Sequence, residues 1–416
     1  MIRLSHPTSV LKGSIKLPSS KSISNRMLIL QNLYEQDMKL DNLSNANDTQ
    51  LLQEIFKSES KNLNVQDAGT AFRFLTAYCA VTPGEWVIHG TDRLNERPIS
   101  QLVDSLRLLG ADISYVEEEG KAPLRIKGKQ LTASDVLLDL THVKTSQFIS
   151  ALLMIAPKIH GDFKVKVNTK MSSYAYVLLT IGCLRRMGYT VWVNGQYIKV
   201  SHQQKFDGEY FVVEPDWTSF YYWLSMAHLA KEVNLFFPGL RLDNMSKERK
   251  LLYHVGHSAM HFEERDNGLR LTKSKSGNYD IKEELNFSQF PDSAMTYAVL
   301  IPAIGAKKVK LKGLESLKYK ECNREEAITS HLNKMGVNLS HSKEGVWQMD
   351  ATGFKLEPET FFESYDDHRM AMCVAPLALL DEIIIENEAV VKKSYPHFWD
   401  DLGSVGFQVE QISLKD

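Results

Sequence analysis

The sequence predicts an α/β protein of two domains, and three observations carry that prediction. The chain is 416 residues long, beyond the size at which a single hydrophobic core usually stops growing. Hydrophobic residues make up 43% of it and charged residues 24%, the composition of a globular protein, not of a disordered or fibrous one. One phrase also recurs along it: the end of a helical pattern, an apolar residue, a glycine, then a strand-like run.

Taken in order, the copies read SLRLLGADISYV, CLRRMGYTVWV, LLYHVGHSAMHF, HLNKMGVNLS and DDLGSVGFQVE, with glycines at Gly110, Gly188, Gly256, Gly336 and Gly406. A glycine just past a helix end serves as a left-handed C-cap, so each copy predicts helix, stop, strand. EIFKSESKNLNV, residues 54–65, reads as a degraded sixth copy. The copies stand farther apart than the roughly 20–50 residues of a solenoid period and suit a compact βαβ-type unit used several times. FKVKV and KKVKLKG add strands, and SQFISALLMIA and TSFYYWLSMAHLA add helices. No low-complexity linker intervenes, so the domain boundary is expected to be a short crossing.

Charge and cysteine content narrow the function classes. Lys plus Arg number 49 against 51 Asp plus Glu, a formal charge of −2, so no global field attracts nucleic acid or an anionic membrane, and an anion site must be local. Cys79, Cys183, Cys322 and Cys373 lie far apart with no CxxC pair, which argues against a disulfide framework or a zinc site. The N-terminal MIRLSHPTSVLKGS lacks the apolar core of a signal peptide, and no stretch approaches the ~18 apolar residues of a membrane span. A soluble, cytoplasmic protein is expected.

Local cations do stand out, at helix starts. In SSKSISNRMLILQNLY, Ser19 or Ser20 can cap a helix whose first turn holds Lys21, with Ser22 and Arg26 on one face at i, i+4. The helix dipole disfavours a cation there, so the placement makes sense if an external anion binds between the lysine and the exposed N–H groups. SYDDHRMAMCVAPLALL offers Asp366 or Asp367 as a cap, followed by His368 and Arg369. LKYKECNREEAITSHLNKMG places Lys320 and Arg324 at i, i+4 with Glu321 between them, LNERPISQLVDSLRLLG sets Arg97 before Pro98, a residue favoured at the first helical position, and VVKKSYPHFW adds Lys392 and Lys393. Several basic helix starts in a chain of near-zero net charge imply a ligand with several phosphate or carboxylate groups. KTSQFISALL, with Thr145, Ser146 and Gln147, and SSYAYVLL, with Ser173 and Tyr176, supply neutral donors that are either helix caps or contacts to a polyol. Asp292, after Pro291 in NFSQFPDSAMTYAVLIPAIG, is either an N-cap or a general base beside the anion site. Gly69 in DAGTAFRFL would let a ligand approach the backbone.

Together, LPSSKSISNR, DAGTAFRFL, LNERPI, TSQFISALL, FPDSAMT, YKECNR, DDHRMAM and KKSYP resemble the enolpyruvyl transferase family, in the branch that acts on shikimate 3-phosphate. The motifs follow the family's order over nearly the whole chain. The resemblance implies two similar domains, each of three βαβαββ units forming an inside-out α/β barrel. It places residues 1–20 with 234–416 in the first domain and 21–233 in the second, with the active site in the cleft between them. The implied reaction joins shikimate 3-phosphate to phosphoenolpyruvate through a tetrahedral addition-elimination intermediate and releases phosphate, with no metal or organic cofactor, in a monomer. By motif, Lys21, Ser22, Arg26, Thr145, Ser146, Gln147, Ser173, Tyr176, Asp292 and Lys320 would meet shikimate 3-phosphate. Lys21, Gly69, Arg97, Gln147, Arg324, Arg369 and Lys393 would meet phosphoenolpyruvate. Asp292 would take the proton of the attacking hydroxyl, Glu321 would handle the proton at the methylene carbon with help from Lys21, and His368 is a further catalytic candidate.

The chain departs from the family pattern at Asn323, where aspartate is usual, at Cys322, Ser19 and Phe74, the last where many members have proline, and in a short segment between Asp48 and Asp67 that trims one repeat unit. The sister transferases acting on UDP-N-acetylglucosamine typically carry a reactive cysteine before their Arg-Pro; RLNERPI has none. A non-catalytic binder of phosphorylated metabolites could dispense with Asp292 or Glu321, and both are present.

Overall fold

The recurring phrase marks the seam of a recurring sheet. In the computed structural model, which describes residues 1–34, 38–133, 137–143, 145–203, 210–243, 245, 248–274 and 277–413, the chain forms two units, Met1–Pro18 with Glu214–Asp416, and Ser19–Val213. The first unit holds three four-stranded sheets. Glu284–Asn286 pairs in parallel with Lys308–Lys312, which pairs antiparallel with Val346–Asp350, and that with Asn338–Lys343. Val10–Ser14, Glu232–Pro238, Gly268–Lys273 and Met260–Arg265 follow the same scheme. So do Thr360–Phe362, Ile383–Ile385, Ile2–Ser5 and Gln408–Gln411, where the N-terminal strand closes the C-terminal sheet.

The second unit repeats the scheme in two sheets. One is Asn62–Asn64, Gly84–His89, Leu124–Gly128 and Asp112–Tyr115. The other is Leu137–Leu140, Lys164–Val167, Tyr197–Gln203 and Tyr189–Asn194. A third parallel pair, Tyr210–Val212 with Lys39–Asp41, has no antiparallel hairpin among the described residues. Its hairpin is missing because helix Asn47–Lys57 runs almost directly into Asn62–Asn64, the first strand of the next sheet. This is the trimmed unit expected from the short segment after Asp48.

Helices sit inside and sheets outside. Ala294–Ala303 and Trp217–Leu229 are buried along nearly every face, as a helix must be when apolar all round, whereas strand Leu124–Gly128 alternates buried and exposed residues as a half-solvated sheet does. In the first unit Trp217–Leu229, Arg324–Lys334 and His368–Val374 each pack on Ala294–Ala303. In the second, Lys21–Leu33, Gly69–Val81, Ser146–Ile155 and Tyr174–Arg186 pack together. The starts of Lys21–Leu33, Arg324–Lys334 and His368–Val374 carry cationic motifs. No helix among the described residues is long and apolar enough to cross a membrane.

Several expectations need correction. The chain crosses between units at 18/19, close to the expected 20, but the second crossing lies at 213/214 and not near 234, because Trp217–Leu229 is packed into the first unit's core. Gly110, Gly188, Gly336 and Gly406 do take positive φ, at 91°, 83°, 68° and 105°, but Gly256 lies inside strand Val255–His257, paired with Asp280. EIFKSESKNLNV stops its helix at Ser58, in extended backbone and without a glycine. Pro98 is not a first helical residue: the helix starts at Ser100, and the Pro98 carbonyl accepts from Arg73. Lys320 and Glu321 lie on the lead-in to a helix that begins only at Arg324.

Candidate active site

In the first unit, three helix starts converge on one carboxylate. Pro291 opens a 3-10 turn, Pro291–Ser293, that carries Asp292 ahead of helix Ala294–Ala303. The cap reading of Asp292 does not hold by position, since Phe290 and Ser293 stand at the two N-caps; its carboxylate meets three cations. Arg324 Nη1 lies 2.8 Å and Lys320 Nζ 3.2 Å from its Oδ1, and Arg369 Nη2 lies 3.6 Å from its Oδ2. Burial pushes this carboxyl up, but Lys320, Arg369 and Arg324 more than reverse that and hold it well below the usual carboxylate range. Asp292 is therefore ionised.

Arg324 is the hub. Its side chain is 1% exposed, and it donates from Nε to Asp367 Oδ2 at 2.7 Å, from Nη2 to Glu321 Oε2 at 2.7 Å and to Asp367 Oδ1 at 3.2 Å, besides its bond to Asp292. Burial pulls its pKa down, and Asp367, Glu321 and Asp292 together hold it well above the ordinary value. Asp367 has a second task. It caps helix His368–Val374 by accepting from Arg369 N at 2.9 Å, which fixes the base of Arg369, while Arg369 Nη1 reaches Tyr222 Oη at 3.4 Å. His368 is buried, its Nδ1 3.6 Å from Asp367 Oδ1. Asn323 sits at the N-cap of helix Arg324–Lys334 without a side-chain cap bond, so the carboxylate its position usually supplies is not what holds Arg324; Asp367 does that. Burial and Asp367 push the Cys322 thiol up to about 12, which makes it a poor nucleophile. Lys393 ends the 3-10 turn Glu388–Lys393, which packs on helix His368–Val374.

Glu248 was not foreseen from the sequence. It is buried, with the Thr218 hydroxyl 3.4 Å from each carboxylate oxygen. Burial, with Asp216 and Asp292, raises its pKa well above the ordinary value against the opposing pull of Arg369 and Thr218. An acid whose folded pKa is raised binds more protons folded than unfolded, so its contribution to stability is full below the unfolded pKa and is lost as pH rises toward the folded one. We expect Glu248→Gln to gain thermal stability over the parent at pH 8 and less or none at pH 5, read from paired melting curves.

The second unit gathers the other predicted residues at its own helix starts. Ser20 caps helix Lys21–Leu33, accepting from Ile23 N, and the Lys21 ammonium pairs with Asp48 at 3.2 Å. Asp48 lies in the first turn of helix Asn47–Lys57, where an acidic residue reads as an ordinary dipole partner, and so gave no sequence signal of its role. Thr145 caps helix Ser146–Ile155 by accepting from Gln147 N, and Gln147 Nε2 donates to Thr70 Oγ1 at 3.2 Å. Ser173 precedes helix Tyr174–Arg186 in left-handed backbone, φ 66°, without a side-chain cap bond. The Tyr176 carbonyl accepts from Arg26, which also bonds the carbonyl of Ser22.

Gly69 begins helix Gly69–Val81 with two guanidinium groups against it. A Cβ there would lie 2.6 Å from Arg73 Nη1 and closer still to Arg97 Nη1. Arg73 is pinned, donating to the Gly69 and Pro98 carbonyls, so both Arg97 and the helix start itself would have to shift. Among the described residues the buried Arg97 Nε finds no acceptor, and the helix start adds its own positive field. Gly69→Ala should therefore lower the melting temperature and raise the KM for an anionic substrate by roughly 10-fold or more, the worth of a misplaced charge-assisted bond. Steady-state kinetics with each substrate varied in turn would check it.

These features define a class: a two-unit α/β protein with cations gathered at helix starts and an ionised aspartate among them. A family model for EPSP synthase (3-phosphoshikimate 1-carboxyvinyltransferase) matches residues 5–58 and 53–402, and the chain belongs to that family. A Bacteroides fragilis (strain YCH46) protein named 3-phosphoshikimate 1-carboxyvinyltransferase is 36% identical over 409 residues, covering 98% of both chains. One of the same name from Pseudoalteromonas translucida is 32% identical over 432 residues, covering 96% of this chain and 98% of its own. Among solved structures, EPSP synthase from Acinetobacter baumannii superposes with a TM-score of 0.75 at 18% identity, covering 99% of each chain. The enolpyruvyl transferase NikO from Streptomyces tendae does so with a TM-score of 0.74 at 14% identity, again over 99% of each. The fold is therefore common to more than one enolpyruvyl transferase, and the choice of acceptor rests on side chains.

Proposed function

We propose that this chain transfers the enolpyruvyl group of phosphoenolpyruvate to the 5-hydroxyl of shikimate 3-phosphate and releases phosphate, as a cytoplasmic monomer without a metal or organic cofactor. The observation that carries the reading is the ionised Asp292 shared by Lys320, Arg324 and Arg369. A base must be unprotonated and within reach of its proton, and the cations beside it suit the carboxylate and phosphate of phosphoenolpyruvate.

In the proposed reaction, the acceptor oxygen forms a bond to C2 of phosphoenolpyruvate as Asp292 takes its proton, and the methylene C3 gains a proton, with Glu321 and Lys21 the groups assigned to that transfer. The tetrahedral adduct then loses a proton from the new methyl group and its phosphate, restoring the double bond. Lys21, Ser22, Arg26, Thr145, Ser146, Gln147, Ser173, Tyr176 and Lys320 are assigned to shikimate 3-phosphate. Arg97, the Gly69 backbone, Lys21, Gln147, Arg324, Arg369 and Lys393 are assigned to phosphoenolpyruvate. As phosphoenolpyruvate draws Arg369 toward its own anionic groups, the Asp292 carboxylate loses one of the partners that suppress its basicity, which couples substrate binding to activation of the base. His368 keeps a supporting role beside Asp367.

Phosphate release by the purified protein with both substrates, together with the enolpyruvyl ether seen by mass spectrometry, is the expected result. Binding of shikimate 3-phosphate without any release on adding phosphoenolpyruvate would overturn the reading in favour of a ligand-binding protein.

A further inference from the structure

Two buried arginines of this chain live in opposite environments. Arg324 is neutralised three times over by carboxylates. Arg26, 2% exposed, is held only by neutral groups. Its Nε donates to Thr180 Oγ1 at 2.7 Å, its Nη2 to Ser150 Oγ and to the Tyr176 carbonyl at 3.3 Å each, and its Nη1 to the Ser22 carbonyl at 2.8 Å. Thr180 and Ser150 are wholly buried and bond each other at 2.8 Å. The ring of Phe74, also wholly buried, lies 5.1 Å from the guanidinium carbon, within cation–π range. Among the described residues no carboxylate forms an ion pair with Arg26.

A desolvated cation without a counter-ion is costly, and burial brings the Arg26 pKa down to about 10. A carboxylate at position 150 or 180 would have relieved that cost with a bond about twice as strong as a neutral one, but it would also have spent the charge. Hydroxyls and an aromatic face fix the guanidinium and leave its charge uncompensated, with one Nη1 N–H lacking an assigned acceptor. That is the arrangement of a cation kept for an incoming anion.

We propose that Thr180, Ser150 and Phe74 are positioning residues for acceptor recognition: they hold Arg26 so that an anionic group of shikimate 3-phosphate supplies the counter-charge the fold withholds. The assignment rests on the proposed function and deepens it at three residues outside the family motif assignments. Phe74, a departure from the usual proline, thereby acquires a task. Each of the three acts through Arg26, not on the reacting atoms.

The test compares the parent with Thr180→Val, which keeps shape and removes the hydroxyl, with Thr180→Ser, which restores it, and with Phe74→Leu. For each, the Kd and KM for shikimate 3-phosphate, the KM for phosphoenolpyruvate, and the rise in melting temperature on adding shikimate 3-phosphate are measured. Thr180→Val should weaken shikimate 3-phosphate by roughly 10-fold or more and shrink its thermal shift, with the phosphoenolpyruvate KM within about 2-fold of the parent. Thr180→Ser should return most of the affinity, and Phe74→Leu should lose roughly 5-fold. A merely structural network would lower the melting temperature and leave shikimate 3-phosphate affinity alone; that result, or equal loss for both substrates, overturns the assignment. Should Thr180→Val not fold, Phe74→Leu decides by the same split. Absence of shikimate 3-phosphate binding by the parent itself would overturn the proposed function along with it.

Discussion

Asp292→Asn should lower kcat by roughly 10²- to 10⁴-fold, the usual worth of a general base, while phosphoenolpyruvate binds as tightly as before or more so. The two halves of this expectation come from one set of distances. The asparagine keeps the side chain's shape and one carbonyl oxygen for Arg324 Nη1 and Lys320 Nζ, which lie 2.8 and 3.2 Å from Oδ1 in the parent. It cannot accept the acceptor hydroxyl's proton. It also removes the negative charge that competes with substrate for Lys320, Arg324 and Arg369, so an anionic ligand meets three cations with less internal compensation. Single-turnover rates and calorimetric binding of phosphoenolpyruvate would separate the effects. A variant that loses binding and turnover in equal measure would show Asp292 to be a scaffold for the cations and not the base.

Sequence reasoning reached the element types and the helix starts at which the candidate residues stand because both depend on short-range patterns. Lys164–Val167 and Ser146–Ile155 follow from local periodicity, and the C-cap glycines at 110, 188, 336 and 406 follow from backbone that L-residues rarely adopt. The partners were harder to see, since a partner is fixed by packing between elements distant in sequence. Asp48 meets Lys21, Thr180 and Ser150 meet Arg26, and Thr70 meets Gln147, each across a sequence gap that carries no spacing signal. Asp367 was legible as a cap, yet its bond to Arg324 was not, because one carboxylate serves both. Gly256 misled for the opposite reason: a helix-Gly-strand string satisfies the local pattern while its glycine pairs inside a strand.

Arg324→Met should destabilise the first unit by about 3–5 kcal/mol, the cost of stripping the partner from a buried ion cluster. The cost does not come from lost attraction alone. Asp292, Glu321 and Asp367 remain gathered where the guanidinium stood, and Asp367 is wholly buried, so like charges face each other in a poorly solvated pocket. The sign of the pH dependence follows from Asp292. Its folded pKa lies below the unfolded value, held there by Lys320, Arg369 and Arg324 against the effect of burial, so in the parent its contribution is present above a pH of about 4 and is lost on further acidification. Removing Arg324 takes away one of the three cations that depress Asp292, so its folded pKa rises toward the unfolded value and the variant forfeits part of the stability the parent gains above a pH of about 4. The deficit should accordingly be larger at pH 6 than at pH 3, read as a difference in urea midpoints. Arg324→Lys should recover little of it, since one ammonium cannot fork to the three carboxylates that Nε, Nη1 and Nη2 reach. A deficit that is small and flat with pH would mean that the carboxylates relax into solvent on their own, and that Arg324 is retained for the ligand and not for the fold.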